Sequence, residues 1–344
     1  MNVSMWMKAL QTIPRMDKQE WDGLDIVSKF LVASRSGVLI ITFISAGLAG
    51  LFAGRAGMFD LGRWVLLTLG LCFAHATNNL LNDATDFVKG VDTDNYYRAQ
   101  YGPQTLTHGF LTMRQILTYA AVSGLLALAF GGYLIYLRGT TAWILLGLGV
   151  FFVLFYTWPL KYIGLGELAV IIVWGPLMIG GGYYVITGQW DWNVVLAGLP
   201  YALGATTVIF GKHIDKHDGD KLKRIHTLPV IIGEKAARYL GIAMMALQYA
   251  FVVYLVLFHG FFQPGGFFAP FVLVVFFAYK EFLQALKPYQ IPKPKEAPEG
   301  FPPGVWPLYF VGFAFVHNRR FGLLFLGGLI LDLVWRAVMP LVIR

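Results

Sequence analysis

Apolar positions along the chain fall into long runs separated by short polar stretches. Runs long enough to cross about 30 Å of hydrocarbon as helices begin near Gly37, Trp64, Ile116, Ala142, Ala169, Val194, Leu240, Phe267 and Phe321. They predict an all-α fold, a polytopic membrane helix bundle of about nine transmembrane helices. Two stretches break the pattern. In residues 1–35 Met5, Trp6, Met7, Leu10, Ile13, Trp21, Leu24, Ile26 and Val27 are interleaved with charge, which predicts an interfacial amphipathic lead-in and shows no secretory h-region. From 287 to 307, Pro288, Pro292, Pro294, Pro298 and Pro302 mark a loop that cannot be helical throughout. The aromatic piece Leu308 to Val316 is too short to span and is expected to lie in the interface or re-enter. The expected organisation is an N-terminal cytoplasmic or interfacial segment, 1–35, followed by a single transmembrane domain, 36–344, with cytoplasmic loops at 83–114 and 212–238.

Composition agrees with this reading and excludes an ordinary soluble or disordered chain: 57% of residues are hydrophobic, 13% are charged and the mean hydropathy is +0.61. With the N-terminus inside, all but Arg55, Arg63, Arg138, Arg336 and Arg344 of the 27 Lys and Arg residues fall in inner loops. The net charge of +8 is therefore a topology signal first, and an attraction to anionic lipid or a phosphorylated substrate second; it does not argue for nucleic acid. The localisation expected is a cell membrane, inner or plasma, with the N-terminus and the charged loops cytoplasmic. The single cysteine, Cys72, sits in an apolar run and excludes a disulfide framework or thiolate metal site.

Against this background seven of the 19 acidic residues concentrate in two patches, Asp83, Asp86, Asp92 and Asp94 after the second run and Asp215, Asp218 and Asp220 after the sixth. That four-span offset hints at two related helical halves. At about 100° per residue, Asn79, Asn82, Asp83 and Asp86 share one helix stripe, so their polar groups can converge on one ion. Gly90 permits a turn that returns Asp92 and Asp94 towards the same mouth. Asp215 and Asp218 share a face at i, i+3 with Lys212 nearby, while Gly219 leaves the direction of Asp220 open. Magnesium takes hard oxygen ligands, commonly one or two carboxylates with substrate phosphates completing the shell. Two facing carboxylate groups suit a diphosphate held through Mg2+, and a metal-neutralised diphosphate is a good leaving group. The membrane suits a substrate with a long hydrocarbon tail.

These residues resemble the UbiA-type intramembrane prenyltransferases. Asn79-x-x-Asn82-Asp83-x-x-Asp86-x-x-x-Gly90-x-Asp92 looks like the menaquinone-branch form of that family's first motif. Gly102 to Gly109, Tyr156 to Glu167 and Trp174-Gly175-Pro176-Leu177 are similar to further segments of the same branch, and the resemblance covers roughly residues 35 to 240. It implies a nine-helix bundle with a lateral opening to lipid. It also implies a polyprenyl diphosphate held by magnesium on both motifs, and prenylation of an aromatic acceptor on carbon, most closely 1,4-dihydroxy-2-naphthoate in menaquinone biosynthesis. Carried over, Asn79, Asp83, Asp86 and Asp92 form the first metal set, with Asn82 beside them. Asp215 with Asp218 or Asp220 forms the second, and Tyr156 and Lys161 match positions near diphosphate and acceptor; Lys212, which the resemblance does not map, is expected as a binding residue from its place beside Asp215. The second motif departs from the family: the position four residues after Asp215 is Gly219, so its second ligand stays open between Asp218 and Asp220.

Other readings stand beside this one. The same site could prenylate a chlorin, a haem, homogentisate or a glycerol phosphate backbone. Intramembrane carboxylates also serve ion-coupled transporters, which place them near the bilayer midplane rather than at one face. Singly, Asp94 reads as a solvated loop acid, Lys89 and Arg98 as topology charges, His75 as hydrogen-bonded packing and Glu167 as a helix cap or site residue. His108, His213, His217 and His226 carry no stronger signal. Catalytic base, prenyl chain length and oligomeric state are not written in the sequence.

Overall fold

The computed structural model describes residues 2–91, 102–260, 270–302 and 304–342, which are helical with no strand among them. Three short helices come first: α1 (Val3–Gln11), α2 (Lys18–Asp22) and α3 (Ile26–Ala33). The bundle follows with α4 (Ile40–Arg55), α5 (Leu61–Val88), α6 (Met113–Arg138) and α7 (Thr140–Phe155). Next, α8 (Gly166–Ile172) passes through a π-helical stretch, Val173–Gly181, into α9 (Gly182–Thr187). Then come α10 (Trp192–Asp215), α11 (His217–Leu222), α12 (Leu228–Ile232) and α13 (Glu234–Leu257). A 3-10 stretch, Pro270–Ala278, leads into α14 (Tyr279–Gln290), and α15 (Phe310–Val342) closes the chain.

The helical membrane bundle matches the expectation, but the count of nine does not follow from helix length. Among the described residues seven helices are long and apolar enough to cross a membrane. The run from Ala142 yields α7, whose 16 residues span about 24 Å at 1.5 Å per residue, short of a full crossing. The run from Phe267 yields the 3-10 stretch joined to α14, and residues 261–269 lie outside the described residues. The last span also starts earlier than expected, because Leu308 to Val316 is no separate interfacial piece: from Phe310 it forms the opening turns of α15. The polar step His317-Asn318 hides that continuity in the sequence. In the fold both side chains turn inward and are fully buried, with Tyr249 Oη 2.8 Å from His317 Nε2.

Four of the arginines that the sequence sets apart from the inner loops gather at one end of the bundle. There Arg63 and Arg138 both donate to the Ile186 carbonyl, and Arg55 and Arg336 flank Asp332 at 3.8 and 3.1 Å. Asp83 and Asp86 sit at the opposite end of α5, about 30–35 Å from Arg63 along the helix. Between them Ile44, Leu48 and Phe52 of α4 pack with Tyr201 of α10 and Phe321 and Phe325 of α15. Gly182 lets α9 close on α4, since a Cβ there would lie 2.9 Å from that of Ala49.

The N-terminal segment folds onto the acidic end of the bundle. Ala9, Trp21, Val32 and Ala33 are buried against Leu80 and Ala84 of α5 and Leu106 and Phe110 of the following loop, with the Trp21 and Phe110 rings stacked at 5.3 Å. Asp25 organises it by accepting from the Val27 and Ser28 amides, the Asn2 amide and the Trp6 indole at 2.8–3.1 Å. On the far side of the mouth the proline-rich loop meets it, where Arg15 donates to the Trp306 carbonyl at 2.8 Å.

Candidate active site

The C-terminal half of α5 carries the first motif on one buried stripe. Asn79, Asn82, Asp83 and Asp86 are each less than a tenth exposed. Asn79 Nδ2 donates to Ser34 O (2.9 Å) and Asn82 Nδ2 to Thr157 Oγ1 (3.1 Å), which fixes both amides. Arg35 is the anchor: from a left-handed backbone (φ 57°) between α3 and α4, it reaches Asn79 O at 2.9 Å, Asn82 Oδ1 at 3.4 Å and Asp83 Oδ1 at 3.3 Å. Lys161, in the short turn Leu160–Ile163, donates to both Asp86 oxygens at 2.7 and 2.9 Å and is itself buried. Asp92, expected to complete this set, and Asp94, read as a solvated loop acid, lie outside the described residues.

The second motif splits between three environments. Asp215 ends α10 and turns to α15: its two oxygens accept the Phe310 and Val311 amides at 3.1 Å each, and Lys293 lies 3.1 Å away. It thus caps the N-terminus of α15. Burial pulls the Lys293 ammonium below its usual range, and the Asp215 charge opposes that. Asp218, on α11, has a side chain 97% exposed and meets only the neighbouring His217 ring among the interactions seen for it. Asp220 is wholly buried and lies 3.3 Å from Lys216. The residue pair i, i+3 expected to share a face is broken at Lys216, where α10 stops and α11 starts.

Cross-links bring the two motifs together. Lys223 donates to the Gly90 and Val91 carbonyls at 3.1 and 2.6 Å, and the His226 amide donates to Tyr162 O at 3.3 Å. Val91 and Ile225 pack with Tyr162 and Leu308. Lys212 and Lys216 place their fields on Asp86. Behind Lys161, Glu167 Oε1 and His213 Nδ1 meet at 2.5 Å, both buried. The sequence undervalued Arg35, Lys216 and the Glu167–His213 pair. A lone arginine just before the first span, with no acid nearby in sequence, was the only available signal for Arg35.

A cavity of about 1030 Å3 runs inward from these motifs. Its polar end is made by Arg35, Asn78, Asn79, Asn82, Tyr156 and Lys212. Lys212 makes no ion pair or hydrogen bond among the described residues, and no hydrogen bond engages Asn79 Oδ1 there. The deeper walls are apolar: Leu67 and Leu71 of α5, Leu134 and Ile135 of α6, and Leu145, Leu146 and Val150 of α7. Lining residues on α7 extend from Ala142 to Leu154, which corresponds to about 18 Å of depth. Lys8, Thr12 and Arg15 from the N-terminal segment and Gly304 and Val305 from the proline-rich loop rim the mouth.

The donor set has the chemistry for magnesium. It consists of buried hard oxygens, with Cys72 the only thiol and remote from both motifs. Among the described residues no three acidic, cysteine or histidine side chains converge on one point. Each motif instead offers one or two carboxylates, as many as magnesium takes from a protein when substrate phosphates supply the rest. Arg35, Lys161 and Lys216 balance the negative charge of Asp83, Asp86 and Asp220 in the meantime.

Comparison with known proteins gives the lineage, because residues 43–295 match the UbiA prenyltransferase family. The chain belongs to that family. Among curated members, the UbiA prenyltransferase domain-containing protein 1 homolog of Drosophila melanogaster is 25% identical over 239 residues, 64% of this chain. The chain spans 62% of that relative's length. The 1,4-dihydroxy-2-naphthoate octaprenyltransferase of Bacillus subtilis is 25% identical over 284 residues, covering 81% of this chain and 83% of its own. Among solved structures, an apo UbiA homolog from Aeropyrum pernix K1 superposes with a TM-score of 0.61 at 17% identity, over 85% of this chain and 97% of its own. A UbiA homolog from Archaeoglobus fulgidus bound to GPP and Mg2+ gives 0.59 at 16%, over 87% and 99%. At these identities the structures establish a shared UbiA fold.

Proposed function

We propose that this family member transfers a polyprenyl group from a polyprenyl diphosphate to an aromatic acceptor in a magnesium-dependent reaction, with 1,4-dihydroxy-2-naphthoate of menaquinone biosynthesis as the acceptor. The observation that carries the reading is one cavity: one end is walled by amides and cations beside two acidic motifs, and the remaining depth is apolar. Such a space matches a diphosphate with a hydrocarbon tail. The names of the Bacillus subtilis relative and of a 1,4-dihydroxy-2-naphthoate octaprenyltransferase from Haemophilus influenzae support the acceptor. The basic bias of the motif end supports a cytoplasmic placement in an inner or plasma membrane.

Asp83 and Asp86, joined by Asp92, are the first-motif metal ligands, and Asp220 supplies the second motif. Asp220 is preferred to Asp218 because it is buried next to Lys216 while Asp218 stands in solvent. Asp215 is reassigned from ligand to helix cap, since backbone amides and Lys293 occupy its oxygens. These carboxylates would hold magnesium, which when bound would supply neutralisation of the charge that builds on the diphosphate. Lys212, Arg35 and Lys161 bind the diphosphate oxygens as the leaving charge grows. Asn79 and Asn82 fix the diphosphate end, and Tyr156 closes the cavity over the reacting carbon. The C1–O bond breaks with its electron pair on the diphosphate, and a π pair of the acceptor ring forms the new C–C bond. The group displaced from that ring carbon, a proton in the simplest case, leaves its bonding pair to restore aromaticity.

The test is incubation of the purified protein in detergent with magnesium, a radiolabelled polyprenyl diphosphate and 1,4-dihydroxy-2-naphthoate, with other acceptors in parallel. A prenylated naphthoate, lost on adding EDTA and regained with excess Mg2+, is the expected product. Transfer to another acceptor alone would move the substrate. No diphosphate release under any condition, together with cation flux in proteoliposomes, would overturn the assignment in favour of transport.

A further inference from the structure

We propose that His75 and Trp174 form the subsite for the acceptor's hydroxylated ring, one helical turn deeper in the cavity than Asn79. The inference rests on the prenyltransferase reading and adds to it the element of the site that selects a hydroxyaromatic acceptor. His75 precedes Asn79 by four residues, so it lies on the same face of α5 and about 6 Å further from the motif end. Both His75 and Trp174 line the cavity.

Three observations separate His75 from a histidine held only by packing. Its Nδ1 is engaged by the fully buried Thr42 hydroxyl at 2.7 Å, which fixes the ring plane. No hydrogen bond among the described residues engages the other nitrogen, Nε2. The Trp174 ring stands against it edge to face, centroids 5.4 Å apart at 85°, and its indole N–H is buried without an acceptor. Buried donors lacking partners are uncommon and call for an explanation. Trp174 also sits in the π-helical stretch that contains Pro176, and departures of that kind recur at functional sites.

A hydroxylated aromatic ring fits what this pair offers. One oxygen of the ring can exchange a hydrogen bond with Nε2, while the ring face packs beside the Trp174 indole that holds the His75 ring edge to face. Tyr156 and Lys212 stand towards the diphosphate end of the same cavity, so a ring bound at His75 lies beside the place where the prenyl carbon is released. A saturated polyol would satisfy the hydrogen bonds but not the faces. His75 is a binding residue in this account, and the departing ring substituent is not assigned to it.

The experiment measures acceptor and donor KM separately, with kcat, using radiolabelled geranylgeranyl diphosphate and 1,4-dihydroxy-2-naphthoate at saturating magnesium. H75A is expected to raise the acceptor KM about tenfold or more and to leave the donor KM within about twofold, since one hydrogen bond to a ligand hydroxyl is lost. H75Q, whose amide nitrogen reaches roughly as far as Nε2, is expected to recover most of the loss, and W174F to raise the acceptor KM severalfold. Equal changes in both KM values, an unchanged acceptor KM, or no difference between H75A and H75Q would overturn the subsite. Should H75A fail to elute as a folded species, H75Q and W174F decide by the same split. If the wild-type protein transfers prenyl groups and the variants show no split, only this inference fails. If the wild-type protein releases no diphosphate with any acceptor, the reading beneath it fails.

Discussion

The two acidic motifs look alike in sequence and are used differently in the fold. The first lies on one unbroken helix, so Asn79, Asn82, Asp83 and Asp86 arrive together on a buried stripe, and Asn79 and Asn82 line the cavity end. The second straddles the junction of α10 and α11, and its three aspartates part company: one caps α15, one faces solvent and one is buried beside a lysine. Each motif also rests on a different prop. Arg35 and the N-terminal helices hold the first, while Lys293 and the start of α15 hold the second. Helix continuity, rather than the number of carboxylates, decides how many of them can address one ligand.

The comparison breaks most sharply at Asp86. Asp86→Asn removes a charge that Lys161 balances and that the proposed metal requires, and prenyl transfer should fall by about 100-fold to 1,000-fold at fixed magnesium. Retention of transfer within about threefold would remove the first motif from the chemistry. The second motif is sharpened by a matched pair. Asp220→Asn should lose roughly tenfold to 100-fold, with part of the loss recovered at high magnesium, as for a weakened ligand set. Asp218→Asn should stay within about twofold, because an exposed carboxylate beside a histidine contributes little. The reverse order would reinstate Asp218 as the ligand.

Asp215 separates structure from chemistry. Asp215→Ala leaves two helix-start amides without their acceptor and takes the carboxylate from Lys293, which keeps the Asp215 and Pro307 carbonyls, a loss of about 2–4 kcal/mol by analogy with buried pairs and caps. Thermal unfolding in detergent should register that loss, while transfer per folded molecule falls less than about tenfold. A variant with unchanged stability and abolished transfer would return Asp215 to the metal set.

What the sequence made legible follows from the same contrast. Long apolar runs announced a helical membrane bundle, because a backbone in hydrocarbon has few ways to satisfy its hydrogen bonds. The first motif was readable because 3.6-residue geometry within one helix is local. The place of Asp215 at the start of α15 was not readable because its partners, Phe310 and Val311, are 95 and 96 residues away. Arg35 looked like a topology charge for a similar reason: its partners on α5 are 44 and 47 residues distant. The earlier start of the last span was hidden by His317 and Asn318, whose burial depends on Tyr249 and the neighbouring helices. The composite of 3-10 and α-helix at 270–290 is likewise a matter of packing against α15 and not of periodicity.

The smallest effect should come from the prop of the first motif, and its sign can be worked out. Partial burial pushes the Asp25 carboxyl up, but donors outweigh it: the Ser28 and Asn2 amides, the Trp6 indole and the Ser28 hydroxyl hold it well below the ordinary 3.8. A carboxylate depressed in the folded state contributes stability that is complete above its unfolded pKa and is lost as pH falls through that value and below. Lowering the pH from about 5 to about 3 should therefore reduce the protection of amides in α1 and α3 relative to their intrinsic exchange rate, with the onset below the ordinary carboxylate pKa. Asp25→Asn, which keeps the shape and loses the charge, should show faster exchange in the same helices already at pH 5 and a flatter response to acid. Exchange around Asp215 and the start of α15 should not follow Asp25, because Lys293 and the proline-rich loop support that end. If both ends loosened together in the Asn variant, the two motifs would share one prop, and the contrast drawn between them would reduce to the break between α10 and α11.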